Sequence, residues 1–257
     1  MPTQRVGELE VHYEESGQGT PLVLLSGNWS TGLWWRPLKE RLPEGWRALS
    51  YDARGRGHTR GPALPQDIST LAHDLRGLLD ALALPRAHLM AHSLGTAVAM
   101  QLALEHPGRV RSLTLVAPCW VRGMPAAYNQ PAHQLALHDN RVYFETAMGA
   151  IAPTVSRDDF WRRLLDEGQL QRREASLATL QAMADWAPGE RLEALRAVPS
   201  LVVSGEKDPI CTVEMGRECA QLLGAQQQVV RGVGHSPNLE APDQVIALWS
   251  EFVRRVS

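Results

Sequence analysis

The stretch M-A-H-S-L-G-T-A-V-A-M, Met90 to Met100, decides how the rest of the chain is read. An apolar run from Ala87 to Ala91 stops at a serine, and a helical pattern from Leu94 to Glu105 begins directly behind it. A strand that turns into a helix this sharply needs small residues two positions to either side of the turn, and Ala91 and Gly95 meet that need. Such a turn would present Ser93 as a nucleophile, with the Leu94 backbone N–H and the positive end of the helix dipole facing any oxyanion formed there. The same letters also describe a serine N-cap with no chemistry attached. Alanine stands at position 91, where the pattern G-x-S-x-G has its first glycine, so the motif alone leaves both readings open.

Outward from this point, short runs rich in Val and Leu alternate with helical segments. That alternation is the signature of an α/β protein, a parallel sheet with helices on its faces. Pro21 to Ser26 reads as a buried strand ending in a glycine loop, Leu33 to Leu42 as a helix, and Trp46 to Tyr51 as the next strand. From Asp67 to Leu82 the apolar residues Ile68, Leu71, Leu75, Leu78, Leu79 and Leu82 recur at three-and-four spacing and predict a helix with one apolar face. Ser112 to Ala117 is a further strand. The alternation resumes with a strand at Ser200 to Ser204, a helix near Val213 to Leu223, a strand at Gln227 to Arg231 and a last helix from Pro242 to Arg255. Gln4 to Glu14 alternates around Gly7 and predicts an antiparallel hairpin. Between these halves, from Cys119 to about Arg191, helical pieces rich in Met, Trp and Tyr replace the rhythm. We therefore expect a core of residues 1–118 and 192–257, and a helical cap over 119–191.

Composition narrows the function classes. The 257 residues carry a formal net charge of -2, with Lys and Arg scattered among Asp and Glu, so neither a nucleic-acid stripe nor a polybasic membrane patch is expected. The polar start T-Q-R-V-G-E and the lack of a long apolar run lead us to expect a cytoplasmic location. Cys119, Cys211 and Cys219 are odd in number and lack C-x-x-C spacing, which fits neither a disulfide framework nor a zinc site. A small-molecule substrate, no metal and no cofactor are the expectations. The oligomeric state is not legible.

A serine hydroxyl at neutral pH needs a general base, usually a histidine oriented by a carboxylate. Of nine histidines, His235 is the best placed, in V-G-V-G-H-S-P, a glycine-rich loop between a strand and the final helix. His92, beside Ser93, projects to a different side of the turn and reads as a packing residue. Asp208, in V-S-G-E-K-D-P-I after the strand at Leu201, completes the chain order Ser, Asp, His, with Glu206 a competitor in the same loop. A second oxyanion donor is expected from the loop after the first buried strand, S-G-N-W-S-T-G, where the backbone N–H of Asn28 follows Gly27.

These stretches, with Y-D-A-R-G-R-G-H-T at Tyr51 to Thr59 and G-V-G-H-S-P-N-L-E-A-P at Gly232 to Pro242, resemble the α/β-hydrolase fold family along nearly the whole chain. The resemblance implies an eight-stranded, mostly parallel sheet, a cap inserted after the sixth strand, and no cofactor. It implies a serine hydrolase of small esters, lactones or related acyl compounds. A cofactor-free perhydrolase or haloperoxidase, a C–C bond hydrolase, and a small-ligand sensor with little turnover remain as alternatives. Serine at position 93 argues against the haloalkane dehalogenases and epoxide hydrolases of the family, which use aspartate there. V-A-P-C after the sixth strand lacks the carboxylate of its cofactor-free dioxygenases. Ser26 stands in place of the common histidine of the oxyanion loop, and in this the chain is similar to the 3-oxoadipate enol-lactonases. Trp29, Trp120, Tyr128, Phe144, Trp161 and Trp186 are the candidate pocket residues, with ordinary cap core as the competing reading.

Overall fold

A computed structural model of the chain describes residues 2–256. In chain order the elements are β1 (Thr3–Val6), β2 (Leu9–Gly17), β3 (Thr20–Leu25), α1 (Arg36–Lys39), β4 (Trp46–Tyr51), α2 (Ile68–Ala81), β5 (Ala87–His92), α3 (Leu94–Glu105) and β6 (Val110–Val116). There follow α4 (Pro131–Asp139), α5 (Arg141–Ile151), α6 (Asp159–Gly168) and α7 (Arg173–Asp185). The chain closes with β7 (Ser200–Gly205), α8 (Val213–Leu223), β8 (Gln226–Val230), α9 (Pro237–Glu240) and α10 (Pro242–Val256).

The strands form one eight-stranded sheet in the order β1-β2-β4-β3-β5-β6-β7-β8. It is parallel from β4 to β8, while β2 runs antiparallel to β1 and β4. The architecture implied by the resemblance is therefore present. Because β3, β5, β6 and β7 are covered on both faces, they read as nearly unbroken apolar runs rather than alternating ones. One face packs against α2, α3 and α8 through residues such as Leu75, Leu78, Val98 and Leu223. The other packs against α1 and α10 through Trp35, Leu38, Val245 and Trp249. Helix α3 is buried from Leu94 through Ala103, so it carries no polar stripe, as a helix behind the centre of a sheet should not.

The sequence misplaced one helix and missed another. Leu33 to Leu42 is a short 3₁₀ turn, Gly32–Trp35, followed by the single turn α1. Thr31 caps the first piece by accepting from the Leu33 N–H, and Pro43 keeps Leu42 from continuing the second, since the residue before proline avoids the helical region. The four-residue α9 was too short to leave a periodic signal.

Burial of titratable groups inside the sheet sets a pH dependence. His88 on β5 is buried, its Nδ1 paired with Ser112 Oγ at 2.8 Å, and burial lowers its pKa to about 4, helped by Arg111 and Arg86. The folded protein therefore holds His88 neutral while the unfolded chain takes up a proton near pH 6.5. Its contribution is intact above about pH 6.5 and is lost progressively as the pH falls toward 4. Denaturant titrations of His88→Gln should show a shallower fall of unfolding free energy between pH 6.5 and 4. An unchanged slope would remove His88 as the cause.

Among the described residues no helix is long and apolar enough to cross a membrane.

Candidate active site

Ser93 alone separates β5 from α3, with φ 50° and ψ -122°. A residue with a Cβ held there costs about 1–3 kcal/mol, and such strain persists only where the surroundings enforce it. Here the Ser93 N–H donates to Val116 O at 3.0 Å, and the Ser93 carbonyl accepts from Thr96 N at 2.8 Å and Thr96 Oγ1 at 2.6 Å. The hydroxyl caps no helix N–H, so the N-cap reading fails on its own criterion. Gly95 has to be glycine because a Cβ there would lie 2.6 Å from Leu25 O and 2.8 Å from Ser26 O.

The loop after β3 runs against this turn: a Cβ on Gly27 would meet Ser93 Cβ at 3.1 Å and His92 Nδ1 at 3.0 Å. Ser26, the residue in place of histidine, donates from Oγ to Thr31 O at 2.7 Å and so closes the loop on itself. Within the loop the Trp29 N–H is committed to Gln171 Oε1 at 3.0 Å, whereas the Asn28 and Leu94 N–H groups have no hydrogen-bond acceptor among the described residues. Both expected donors are therefore free, next to the strained serine.

His235 and Asp208 come from neighbouring loops at the ends of β8 and β7. The loops touch backbone to backbone, with Glu206 N–H donating to Val230 O and Lys207 N–H to Val233 O. Gly205 permits this, since a Cβ there would fall 1.8 Å from Gly234 O. Gly205→Ala should therefore lower stability by about 3 kcal/mol and separate the two loops. A melting temperature within about 2 °C of the wild type would contradict this.

His235 Nδ1 donates to Asp208 Oδ2 at 2.8 Å, while Asp208 Oδ1 accepts from Ile210 N at 2.8 Å and Cys211 N at 2.9 Å. Burial pushes the Asp208 pKa up, but the His235 charge and hydrogen bond and the two backbone N–H groups outweigh it, and the net shift is downward. A carboxylate fixed in this way accepts from Nδ1–H and leaves Nε2 as the proton acceptor. Glu206, the competitor, instead accepts from the Gly232 N–H at the surface. Among the described residues no hydrogen bond joins Ser93 Oγ to His235; the two side chains meet as walls of one cavity.

His92 holds that wall in place. Its Nε2 donates to the His235 carbonyl at 2.8 Å, and burial, with repulsion from His235, lowers its pKa to about 3. It is thus a neutral brace. Asp208, Cys211 and His235 place donor atoms within 4.8 Å of one another, as a metal site would. Burial and the Asp208 charge raise the Cys211 thiol pKa well above its usual value, and both Asp208 oxygens are already engaged, so the arrangement suits an acid–base pair rather than a metal.

The cavity between these loops and the helices joining β6 to β7 measures about 150 Å³. Trp29, Trp120 and Tyr128 line it; Phe144, Trp161 and Trp186 do not. Phe144 and Trp161 are fully buried inside the packing between the oxyanion loop and α5 and α6. Trp186 turns toward α3, donating from Nε1 to Gln101 Oε1 at 3.1 Å. Aromatic character marked these residues as buried, but periodicity does not say against which partner.

Sequence reasoning missed the groups that grip the oxyanion loop. Gln171 accepts from Trp29 N and donates to Asn28 Oδ1 at 3.0 Å, and Gln134 accepts from Trp29 Nε1 at 3.0 Å. Buried Arg56 reaches Thr179 Oγ1 at 2.7 Å and Asn28 Oδ1 at 3.4 Å. Among the described residues it has no carboxylate partner, and burial lowers its pKa to about 10. Gln134 sits on the short, mixed α4 and Gln171 in the bend between α6 and α7, where no sequence pattern signals this role; Arg56 belongs to the loop from Tyr51 to Thr59, but the direction of its side chain is not legible there.

The family described as "Alpha/beta hydrolase family" matches over residues 22–248. A putative carbamate hydrolase RutD of Azorhizobium caulinodans is 37% identical over 116 residues, 45% of this chain and 44% of that protein. The chain thus spans less than half the length of that curated relative. The 3-oxoadipate enol-lactonase 1 of Acinetobacter baylyi is 23% identical across 100% of this chain and 97% of its own. Among solved structures, the enol-lactonase from Burkholderia xenovorans LB400 superposes with a TM-score of 0.86 at 24% identity, covering 98% of this chain and 100% of that one, a likeness of fold.

Proposed function

The chain belongs to the alpha/beta hydrolase family, and on that premise we propose that it hydrolyses a small ester, lactone or related acyl compound through Ser93, His235 and Asp208. The observation that carries this reading is a strained serine, capping nothing, that shares one cavity with a histidine held by a buried carboxylate. The relatives named as carbamate hydrolase and enol-lactonase lend support, since both names imply attack at an acyl carbon bearing a heteroatom.

In the proposed sequence, His235 Nε2 takes the Ser93 proton as Oγ adds to the carbonyl carbon, and Asp208 stabilises the imidazolium. The free N–H groups of Asn28 and Leu94 stabilise the oxyanion, with the α3 dipole behind the latter. The imidazolium then protonates the leaving oxygen or nitrogen as its bond to carbon breaks. Water, deprotonated by His235, attacks the Ser93 ester and releases the acid, and the proton returns to Ser93.

Rapid mixing with a p-nitrophenyl ester tests this. A burst of one equivalent of nitrophenol per protein, with the acyl mass on the peptide containing Ser93, is expected. A burst without acyl mass at Ser93 would refute the assignment. Dye bromination with acetate and hydrogen peroxide, run in parallel, separates perhydrolysis from hydrolysis.

A further inference from the structure

The Trp29 indole donates to Gln134 Oε1 at 3.0 Å. An indole N–H can only donate, so this bond settles which end of the amide faces Trp29, and the NH₂ is the other end. That NH₂ has no hydrogen-bond partner among the described residues, although Gln134 is only 8% exposed and lines the cavity. The NH₂ itself keeps accessible surface, so a ligand that displaces its water without supplying an acceptor leaves a desolvated donor unpaired, and one that brings an acceptor is favoured.

The rest of the wall decides the charge of that ligand. Among the described residues the cavity is lined by no Asp, Glu, Lys or Arg. Of its three imidazoles, His235 is already paired with the Asp208 carboxylate, His92 is neutral, and burial also lowers the His133 pKa. A second carboxylate or an ammonium on the substrate would be desolvated without a counter-charge. The volume, about 150 Å³, is that of a cavity able to take a single six-membered ring.

We propose that Gln134 is a specificity-determining residue: its NH₂ donates to an acceptor oxygen on the non-reacting part of an uncharged substrate about one ring in size. The assignment of the reacting end rests on the proposed function; the Gln134 contact is tested apart from it.

Calorimetric binding of cyclohexanecarboxamide and its ring-oxygen isostere oxane-4-carboxamide reads this contact with no bond broken. The wild type should bind the oxane about tenfold more tightly. In Gln134→Glu, which retains an oxygen for the Trp29 indole but replaces the donor, the ratio should fall to about one or below. Gln134→Met should give the same ratio and serves where the glutamate variant does not fold. A carboxylate at ring position 4 of the cyclohexane amide should weaken wild-type binding about tenfold or more.

Equal wild-type affinities, a ratio that survives in both variants, tighter binding of the carboxylate, or no binding by either amide would each overturn the proposal. A merely structural Gln134 would weaken both amides in proportion and preserve their ratio. Loss of the Ser93 burst with the binding ratio intact would defeat the hydrolase reading and leave Gln134 standing.

Discussion

Ser93→Ala is expected to lower kcat/KM for a p-nitrophenyl ester by about 10⁴- to 10⁶-fold, or about 5–8 kcal/mol of transition-state stabilisation. The size follows from what the substitution removes. The Asn28 and Leu94 N–H groups, the cavity and the Asp208–His235 pair all persist, but no atom remains to form the acyl intermediate. The small activity left is what oxyanion stabilisation and binding alone provide. Labelling by a fluorophosphonate probe should vanish with it. Because Ser93 holds its conformation through backbone bonds to Val116 O and from Thr96, and its hydroxyl caps nothing, the melting temperature should hold within about 2 °C. Persistent labelling in the variant would exclude Ser93 as the nucleophile.

Asp208→Asn carries the second largest effect, a fall in kcat of about 10⁴-fold at neutral pH. The asparagine oxygen can keep the Ile210 and Cys211 N–H bonds, which turns its NH₂ toward His235 Nδ1. An amide N–H in that position requires Nδ1 to accept, so the proton moves to Nε2 and the imidazole loses the lone pair that takes the Ser93 proton. The defect is thus one of tautomer rather than of shape. Fluorophosphonate labelling should slow while far-ultraviolet circular dichroism stays unchanged. A variant within tenfold of wild-type kcat would show that another group, with Glu206 the nearest in sequence, orients the histidine.

Much of this site was open to reading before the fold was seen, for reasons that are local. A turn from strand to helix in one residue demands small neighbours, so Ala91 and Gly95 announce it. The loops bearing Asp208 and His235 are punctuated by glycine and proline at the ends of apolar runs, and in a parallel sheet those ends share one edge. Helix boundaries were less exact where capping and proline compete, as between Gly32 and Lys39.

By itself, then, the sequence determined the α/β alternation and singled out Ser93, Asp208, His235 and Asn28 as the candidates for the proposed chemistry, because each reading depends on steric and capping rules acting over a few residues. Only the tertiary structure decided the cavity wall. It sent Trp161 and Phe144 into the packing between α5, α6 and the loop after β3 and Trp186 onto Gln101, brought Gln171 and Arg56 against that loop, and gave Gln134 its free donor. Amphipathic spacing states that a face is buried, whereas what it is buried against is settled by contacts between residues more than a hundred positions apart, such as Trp29 and Gln171.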